Sequence, residues 1–301
     1  MSVRLLPSHL INQIAADLGI QPPTVTLGNE QRVVPIVQRE IATARSGQRD
    51  ALWSLARAIG QARELIYVEG PAFARTSRPD GPPRPDEIDL VSLIAVRMAA
   101  NPRLKLIVCV PREGDFARER PHWTVTALRH RSETLADLIS VDPRRVAAFH
   151  PIGYPGRAAA IRTTTVIVDD VYCLNGTSHF RRRGMTFDGG LDVASIDTAI
   201  GEGYSAGIAN FRQRLMAAKL GVNTAATVAA ATALWIRLAK PESAFDVVFD
   251  LLAGGGAGRL QPIWAGAEPD NIIPQSDAVV DPDGVDTDSF LQLFAALIVE
   301  G

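Results

Sequence analysis

The chain has 301 residues, a formal net charge of −2 and hydrophobic residues at 47% of its positions, which is enough for a full core. The near-neutral charge excludes a global attraction to nucleic acid or to an anionic membrane, so anion binding would need a local cluster. The two cysteines, Cys109 and Cys173, lie in apolar runs, which favours buried thiols in a reducing compartment over a disulfide framework. No uncharged run reaches the roughly 18 residues that a membrane span needs, and the N-terminus lacks a sustained apolar stretch. We therefore expect a cytoplasmic protein without a signal peptide or a transmembrane helix.

Helices and strands alternate through the first half of the chain after a predicted N-terminal extension. Apolar residues at helical spacing, each time followed by a short apolar run, give three helix–strand units. The predicted helices cover residues 50–64, 86–100 and part of 123–139, and the strands that follow them cover 65–69, 104–110 and 145–149. Strands filled with Val, Ile and Leu at consecutive positions require helices on both faces, so the predicted class is α/β, with a mixed sheet flanked by helices.

The second half begins with strands and ends with helices. Predicted strands over 164–168 and 171–174 are joined at Asp169-Asp170, where the carboxylates can accept backbone hydrogen bonds in a turn. The remaining predicted elements are a strand over 191–196, helices over 205–220, 224–239 and 244–252, a flexible turn at 254–258 and an amphipathic helix over 287–299. We expect three parts: an N-terminal extension (1–49), an α/β domain (50–240) and a C-terminal helical and loop extension packed on it (241–301).

The main functional signal lies between Arg162 and His179. The segment reads Arg162-Thr-Thr-Thr-Val-Ile-Val-Asp169-Asp170, and Gly176-Thr-Ser-His179 follows it. It resembles the motif of the phospholipase D superfamily, His-x-Lys-x4-Asp-x6-Gly-Ser-x-Asn. Asp169 and Gly176 stand at the expected spacing, whereas Arg162 and Thr164 stand where the His and Lys of the family would be.

Three further segments carry the same resemblance and extend it over residues 50–221. The segment 58–69 is similar to the Ala-rich helix and Ile-Tyr-Ile-Glu strand of bacterial phospholipases D, and Phe73 stands near the aromatic residue that follows. Residues 105–111 resemble the next strand with its terminal Pro, and residues 211–221 resemble the Phe-Arg-x-x-Leu-Trp-x-x-x-Leu-Gly helix. The resemblance implies a phospholipase D-like fold.

Active members of that family bring two His-x-Lys motifs together, so that one imidazole attacks phosphorus and the other protonates the leaving oxygen. This chain resembles one half, and a complete site would need a second copy or a partner chain. Its three lysines, Lys105, Lys219 and Lys240, never stand two positions after a histidine, so the missing motif is not displaced elsewhere. The family's strand Glu is replaced as well, by Gly190.

Five residues remain candidates for phosphate binding: Arg162, Thr164, Thr177, His179 and Arg182. Arg162 stays protonated and cannot act as a nucleophile, but it can either bind an anion or form a structural salt bridge, for which Asp169 and Asp170 are nearby in sequence. Thr164 is either a hydroxyl donor or simply a β-forming residue.

His179 is the one histidine of the motif and the one catalytic candidate. It offers substitute chemistry in a homodimer, or else it satisfies a local polar network. The run Arg181–Arg183 offers a basic pocket, or else it pairs with nearby acids and solvent. Asp169 and Gly176 are expected to serve the fold, with Asp169 pinning a turn.

No histidine or cysteine has a partner at metal-ligand spacing, and no phosphate loop is present, so we expect neither a metal nor another cofactor. Three hypotheses about function follow. The first is a catalytically degenerate phospholipase D-like protein that serves as a structural or phosphate-recognising component. The second is an active phosphodiesterase that works as a homodimer or with a partner chain. The third is a subunit of a larger assembly contacted through arginine-rich loops, with nucleic acid an unfavoured ligand.

Overall fold

The computed structural model describes residues 49–77, 87–112, 121–153, 156–186, 188–196, 200–201, 203–222 and 225–263. Almost all of the predicted N-terminal extension and the whole predicted helix over 287–299 lie outside these residues. Within them, no helix is long and apolar enough to cross a membrane.

The described residues form seven α-helices and ten strands. The helices are α1 (Asp50–Gln61), α2 (Leu90–Ala100), α3 (Pro121–Val141), α4 (Arg182–Thr186), α5 (Ala206–Leu220), α6 (Val228–Arg237) and α7 (Pro241–Ala253). The strands are β1 (Leu65–Glu69), β2 (Lys105–Cys109), β3 (Val146–Gly153), β4 (Arg157–Ala158), β5 (Thr164–Val168), β6 (Tyr172–Gly176), β7 (Asp192–Ile196), β8 (Ile200–Gly201), β9 (Tyr204–Ser205) and β10 (Leu260–Pro262).

A mixed sheet in the order β10-β3-β2-β1-β5-β6-β7 organises the fold, and β4 adds to β3 outside this path. Strands β1, β2 and β3 are parallel, whereas β5, β6, β7 and β10 run antiparallel to their neighbours. The predicted α/β class with a mixed sheet flanked by helices is confirmed. Strand β1 has the predicted bounds, and β5 does too.

The sheet has a core on each face because successive side chains of a strand point to opposite sides. Ile66 and Val68 of β1 belong to the first face, whose core includes residues of α1, α2 and α3. Leu65 and Tyr67 belong to the second face, whose core includes residues of α5 and α7. All five residues of β1 are buried, which explains why this strand reads as a continuous apolar run.

Capping residues set the helix starts where the sequence prediction was too long. The helix predicted from residue 86 begins at Leu90, because Asp89 is its N-cap and accepts a hydrogen bond from Val91 N. Likewise α6 begins at Val228 rather than at 224, since the Thr227 side chain caps it through Ala230 N. Apolar periodicity alone does not locate such ends.

Residues 241–262 contribute more to the sheet than the sequence indicates. Helix α7 packs on the second face, and β10 pairs antiparallel with β3 through Leu260 and Pro151. The segment predicted as a flexible turn is a 3-10 helix (Gly255–Gly258), and Gly255 and Gly256 adopt φ values of 82° and 77° that favour glycine. The domain boundary at residue 240 stays a prediction.

Candidate functional site

The directions of β1, β5 and β6 bring the motif residues to the same end of these strands. We call this end of the sheet the site edge. The carboxyl end of β1 and the amino end of the antiparallel β5 meet there, since Glu69 pairs with Thr165. In the same way Thr164, the first residue of β5, pairs with Gly176, the last residue of β6. Arg162 precedes β5 and is exposed, and the segment that carries Thr177 and His179 follows β6.

Thr164, which stands where the motif resemblance expects a lysine, is completely buried. Its Oγ1 has no hydrogen-bond partner among the described residues. The Gly70 backbone lies close against this hydroxyl, because a Cβ built on Gly70 would lie 3.1 Å from Thr164 Oγ1. A lysine here would have to force its ammonium group through this packed region or leave it buried.

Thr177 lies on the exposed side of the site edge, but its hydroxyl is already used. Leu191 N donates to Thr177 Oγ1 at 2.9 Å, and Thr177 N donates to the Leu191 carbonyl at 3.1 Å. The hydroxyl itself donates a long hydrogen bond to the Leu191 carbonyl, at 3.4 Å. Thr177 is therefore held in place by the strand that follows in the sheet.

His179 is half-buried, and its backbone is packed against a glycine. A Cβ on Gly184 would lie 2.3 Å from the His179 carbonyl oxygen, so only glycine fits there without movement. Arg181 N also donates to that oxygen at 2.7 Å. These contacts fix the backbone at the family's Asn position.

Arg182 does not face an open anion site. It is 4% exposed, and its side chain pairs with Glu87, which lies after the Pro- and Arg-rich loop, at 3.3 Å. Its neighbours Arg181 and Arg183 both pair with Asp188, at 3.6 and 2.5 Å. The Arg181–Arg183 run therefore pairs with nearby acids and does not line an open basic pocket. The prediction that Arg182 is a phosphate ligand is not supported.

Asp169 pins a turn, as predicted. Its carboxylate accepts hydrogen bonds from three successive backbone amides, those of Arg63, Glu64 and Leu65, at 2.7 to 2.9 Å. Both Asp169 and Asp170 adopt a φ of 53°, and Val171 N donates to the Val168 carbonyl to close the turn between β5 and β6. The motif aspartate therefore ties this turn to the start of β1.

Asp170 forms a buried ion pair with Arg212 of α5, which the sequence did not indicate. The guanidinium donates from Nε and Nη2 to the two carboxylate oxygens at 2.7 and 2.8 Å, and the two side chains are 0% and 1% exposed. Arg212 also donates to the Leu238 and Ala239 carbonyls at 3.0 and 3.2 Å. The available signal was an arginine spaced four residues from Ile208 and Met216 on the buried side of a helix.

The predicted alternative that Arg162 pairs with Asp169 or Asp170 is wrong. Arg162 precedes β5 and the two aspartates follow it, and the five-residue strand alone separates its first and last residues by about 13 Å. This distance is well beyond the reach of a salt bridge. Arg162 instead lies at the site edge, at the end of β5 opposite the turn that contains Asp169 and Asp170.

A second polar cluster at the site edge, on the second face, was not predicted. Tyr67 Oη donates to Glu69 Oε2 at 2.6 Å, and Lys219 Nζ lies 2.8 Å from the same oxygen. Burial and the adjacent Glu69 carboxylate raise the pKa of Tyr67 well above its ordinary value, and they do the same for the pKa of Cys109. Tyr67 and Cys109 therefore stay protonated near neutral pH, and neither is poised for acid–base chemistry.

The described residues offer no cluster that could ligate a metal, in the sense of three or more His, Cys, Asp or Glu side chains together. Of the candidate motif residues, the site edge carries the exposed Arg162 guanidinium, the exposed Thr177 hydroxyl, which is bonded to Leu191, and the half-buried His179 imidazole. A guanidinium and an imidazole can both donate hydrogen bonds to an anion.

Comparison with protein-family models gives no match, and comparison with curated protein sequences gives none either. Among solved structures, the chain is similar to Nuc from Salmonella typhimurium, a phospholipase D family member. The identity is 14%, the TM-score is 0.30, and the match covers 48% of this chain and 74% of that one. It is also similar to NucT from Helicobacter pylori, with 17% identity, a TM-score of 0.34, and coverage of 50% of this chain and 80% of that one.

The fold is a mixed α/β sheet flanked by helices, and its structural neighbours include a phospholipase D family member, the family that the motifs resemble. The strand order and the register of β1, β5 and β6 carry this assignment of fold class.

Proposed function

We propose that this chain is a phospholipase D-like protein that lacks the family's phosphodiester chemistry and serves as a structural or binding component that recognises a phosphate group. The observation that carries the proposal is the state of position 164. Thr164 is fully buried and packed against Gly70, so the position of the family's lysine has been closed. Position 162, where the nucleophilic histidine would stand, holds a guanidinium with no lone pair to offer.

Phosphate recognition is supported by the groups that remain at the site edge. Arg162 is exposed there, and a guanidinium offers a planar fork of donors that suits phosphate oxygens. The Thr177 hydroxyl is exposed; it accepts from Leu191 N at 2.9 Å and donates to the Leu191 carbonyl over 3.4 Å, a long hydrogen bond with which a phosphate oxygen would compete. His179 is the third donor at this edge.

Hydrolysis assays test the loss of chemistry. Bis(p-nitrophenyl) phosphate, phosphatidylcholine, cardiolipin and DNA would be offered to wild type and to the His179→Ala variant across a broad pH range. We expect both proteins to show the same background rate on every substrate. Turnover by wild type that His179→Ala abolishes would instead establish an active phosphodiesterase and refute the proposal.

Binding assays test the recognition part. Inorganic phosphate would be titrated into wild type, Arg162→Ala and the matched control Arg103→Ala, since Arg103 is also exposed but lies at the opposite edge, before β2. A hydrogen bond to a charged group contributes about 1.5–3 kcal/mol, so Arg162→Ala should weaken binding by about tenfold to a hundredfold. Equal affinity in all three proteins would refute phosphate recognition by Arg162 and would leave only a structural role for the chain.

A further inference from the structure

Helix α6 is apolar on its outer side as well as on its inner side. Its inner side packs against the second-face core through Leu234 and Trp235, and no residue of α6 is buried. Its outer side consists of the exposed positions 228–230, 232, 233, 236 and 237, where Val228 is 84% and Ile236 is 64% exposed. A surface helix normally carries charged residues on its outer side, and a helix that is apolar all round is normally buried. Helix α6 therefore has the composition of a helix that another element covers.

The outer side of α6 is also uncharged and shallow. Arg237, the last residue, is the one charged residue of the helix, and residues 220–236 before it contain no charge. Four of the ten residues of α6 are alanines, at positions 229–231 and 233. Small side chains between Val228 and Ile236 leave a groove into which the larger side chains of a second helix can pack.

The sequence contains a segment that matches this groove. We call residues 287–299, where apolar spacing predicts an amphipathic helix, the tail segment; it lies outside the described residues. Its large apolar residues Phe290, Leu293, Phe294 and Leu297 follow the spacing i, i+3, i+4 and i+7, which places them on one side of a helix. Large side chains on the tail segment therefore complement small side chains on α6.

Charge complementarity selects the tail segment as the occupant. Residues 264–301 contain eight Asp and Glu residues and no Lys, Arg or His. The whole chain has 31 basic and 33 acidic residues, so residues 1–263 have 31 and 25, a net charge of +6, against −8 for residues 264–301. Acidic residues also mark the start of the tail segment (Asp286 and Asp288), whereas Arg237 and the exposed Lys240 mark the end of α6. Opposite charges meet when the two helices are antiparallel.

The chain topology brings the tail segment to α6 in preference to the N-terminal extension. Leu260 of β10 belongs to the second-face core, together with α7 and the inner side of α6, and α7 is about 20 Å long. Residues 264–286, 23 in number, can span up to about 76 Å, so the tail segment reaches α6 easily. The N-terminal extension instead joins α1, whose buried residues belong to the core of the first face.

We propose that the tail segment docks antiparallel on the outer side of α6 of the same chain, with Phe290 and Phe294 against the alanines and Asp288 beside Arg237. In this register Leu297 lies level with Val228, because each stands nine residues from the charged pair at the other end. The acidic residues that precede the tail segment then lie over the basic end of α6. This inference does not depend on the proposed function.

Hydrogen exchange of the full chain, followed by mass spectrometry, tests the docking. Phe294→Asp puts a charge into the apolar contact, and we expect the amides of α6 to exchange about tenfold faster or more. Gln292→Asp is the matched control, because it adds the same charge to the same segment on the predicted polar side, and it should leave α6 unchanged. Circular dichroism would confirm that both variants are folded.

Light scattering after size exclusion separates docking within one chain from docking between copies. We expect wild type and Phe294→Asp to have the same mass at every protein concentration. A dimer of wild type that Phe294→Asp dissociates would show that the tail segment covers α6 of another copy, and it would overturn the proposal.

Cross-linking in dilute solution tests the register. The double variant Val228→Cys and Leu297→Cys should form an intramolecular disulfide under mild oxidation, because the two positions lie level in the proposed pair. The native cysteines are buried, and the control combines Leu297→Cys with Val96→Cys, since Val96 is 66% exposed but lies on α2. The proposal is overturned if Phe294→Asp leaves the exchange of α6 unchanged, if Gln292→Asp has the same effect, or if both cysteine pairs link equally.

Discussion

The buried ion pair between Asp170 and Arg212 gives the sharpest test of the packing. In Asp170→Ala the guanidinium keeps its hydrogen bonds to the Leu238 and Ala239 carbonyls but loses both bonds to the carboxylate. Its charge then stays buried in a site that is closed to solvent. Removing one partner of a buried pair costs about 3–5 kcal/mol, and we expect the free energy of unfolding to fall by that amount.

Urea unfolding followed by circular dichroism measures this loss. The matched control is Asp250→Ala, which breaks the exposed pair between Arg237 and Asp250, where the side chains are 54% and 70% exposed. The control should change stability by less than about 0.5 kcal/mol. Asp170→Asn keeps one acceptor oxygen for Arg212 and should lose less than Asp170→Ala. A loss below about 1 kcal/mol in Asp170→Ala would refute the reasoning, because the pair would then not be desolvated as its burial indicates.

Two further predictions concern the site edge and the thiols. Gly184→Ala should lower stability by roughly 1–3 kcal/mol in thermal unfolding, because its Cβ would clash with the His179 carbonyl. Gly60→Ala, in the last turn of α1 where a Cβ meets no neighbour, should raise stability by about 0.5–1 kcal/mol. Equal effects of the two substitutions would contradict the contacts described for Gly184. Burial raises the pKa of Cys173 to about 11 and that of Cys109 well above its ordinary value, so near pH 8 only about one Cys173 in a thousand is thiolate. Both native thiols should therefore react with Ellman's reagent at least about a hundredfold more slowly in the folded protein than in urea. The rate in the folded protein should increase as the pH rises. Reaction of the folded protein at the rate of the unfolded chain would refute this prediction.

The strands of the central sheet could be predicted because strands that are buried on both faces carry apolar residues at consecutive positions. Residues 65–69 and 164–168 are buried at every position, and a run of β-branched and apolar residues is the direct consequence. Strand β10 could not be found in this way. It has three residues, one of them a proline at the sheet edge, and it becomes a strand through pairing with β3 after a glycine-rich turn.

The candidate site was predicted in part, for a related reason. Thr164 and Gly176, 12 positions apart in the motif, become neighbours because β5 and β6 pair in antiparallel register. Spacing does not reveal which charges meet across the molecule. Arg212 lies 42 residues from Asp170 in the chain, and Arg182 lies 95 residues from Glu87, so both pairs depend on helices that pack from elsewhere. The suggested pairing of Arg162 with Asp169 or Asp170 fails for the opposite reason, since these residues are close in sequence but lie at opposite ends of β5.

The Asp170–Arg212 pair also bears on how the chain folds. Neither charge is protected from water until α5 docks on the sheet, so an intermediate with the sheet formed and the helix absent would still have Asp170 hydrated and unpaired. The pair therefore couples the helical layer to the β5–β6 turn in a single cooperative transition. A fragment that stops before residue 206 would lose this coupling and should not fold as an independent unit, although it contains every strand from β1 to β9.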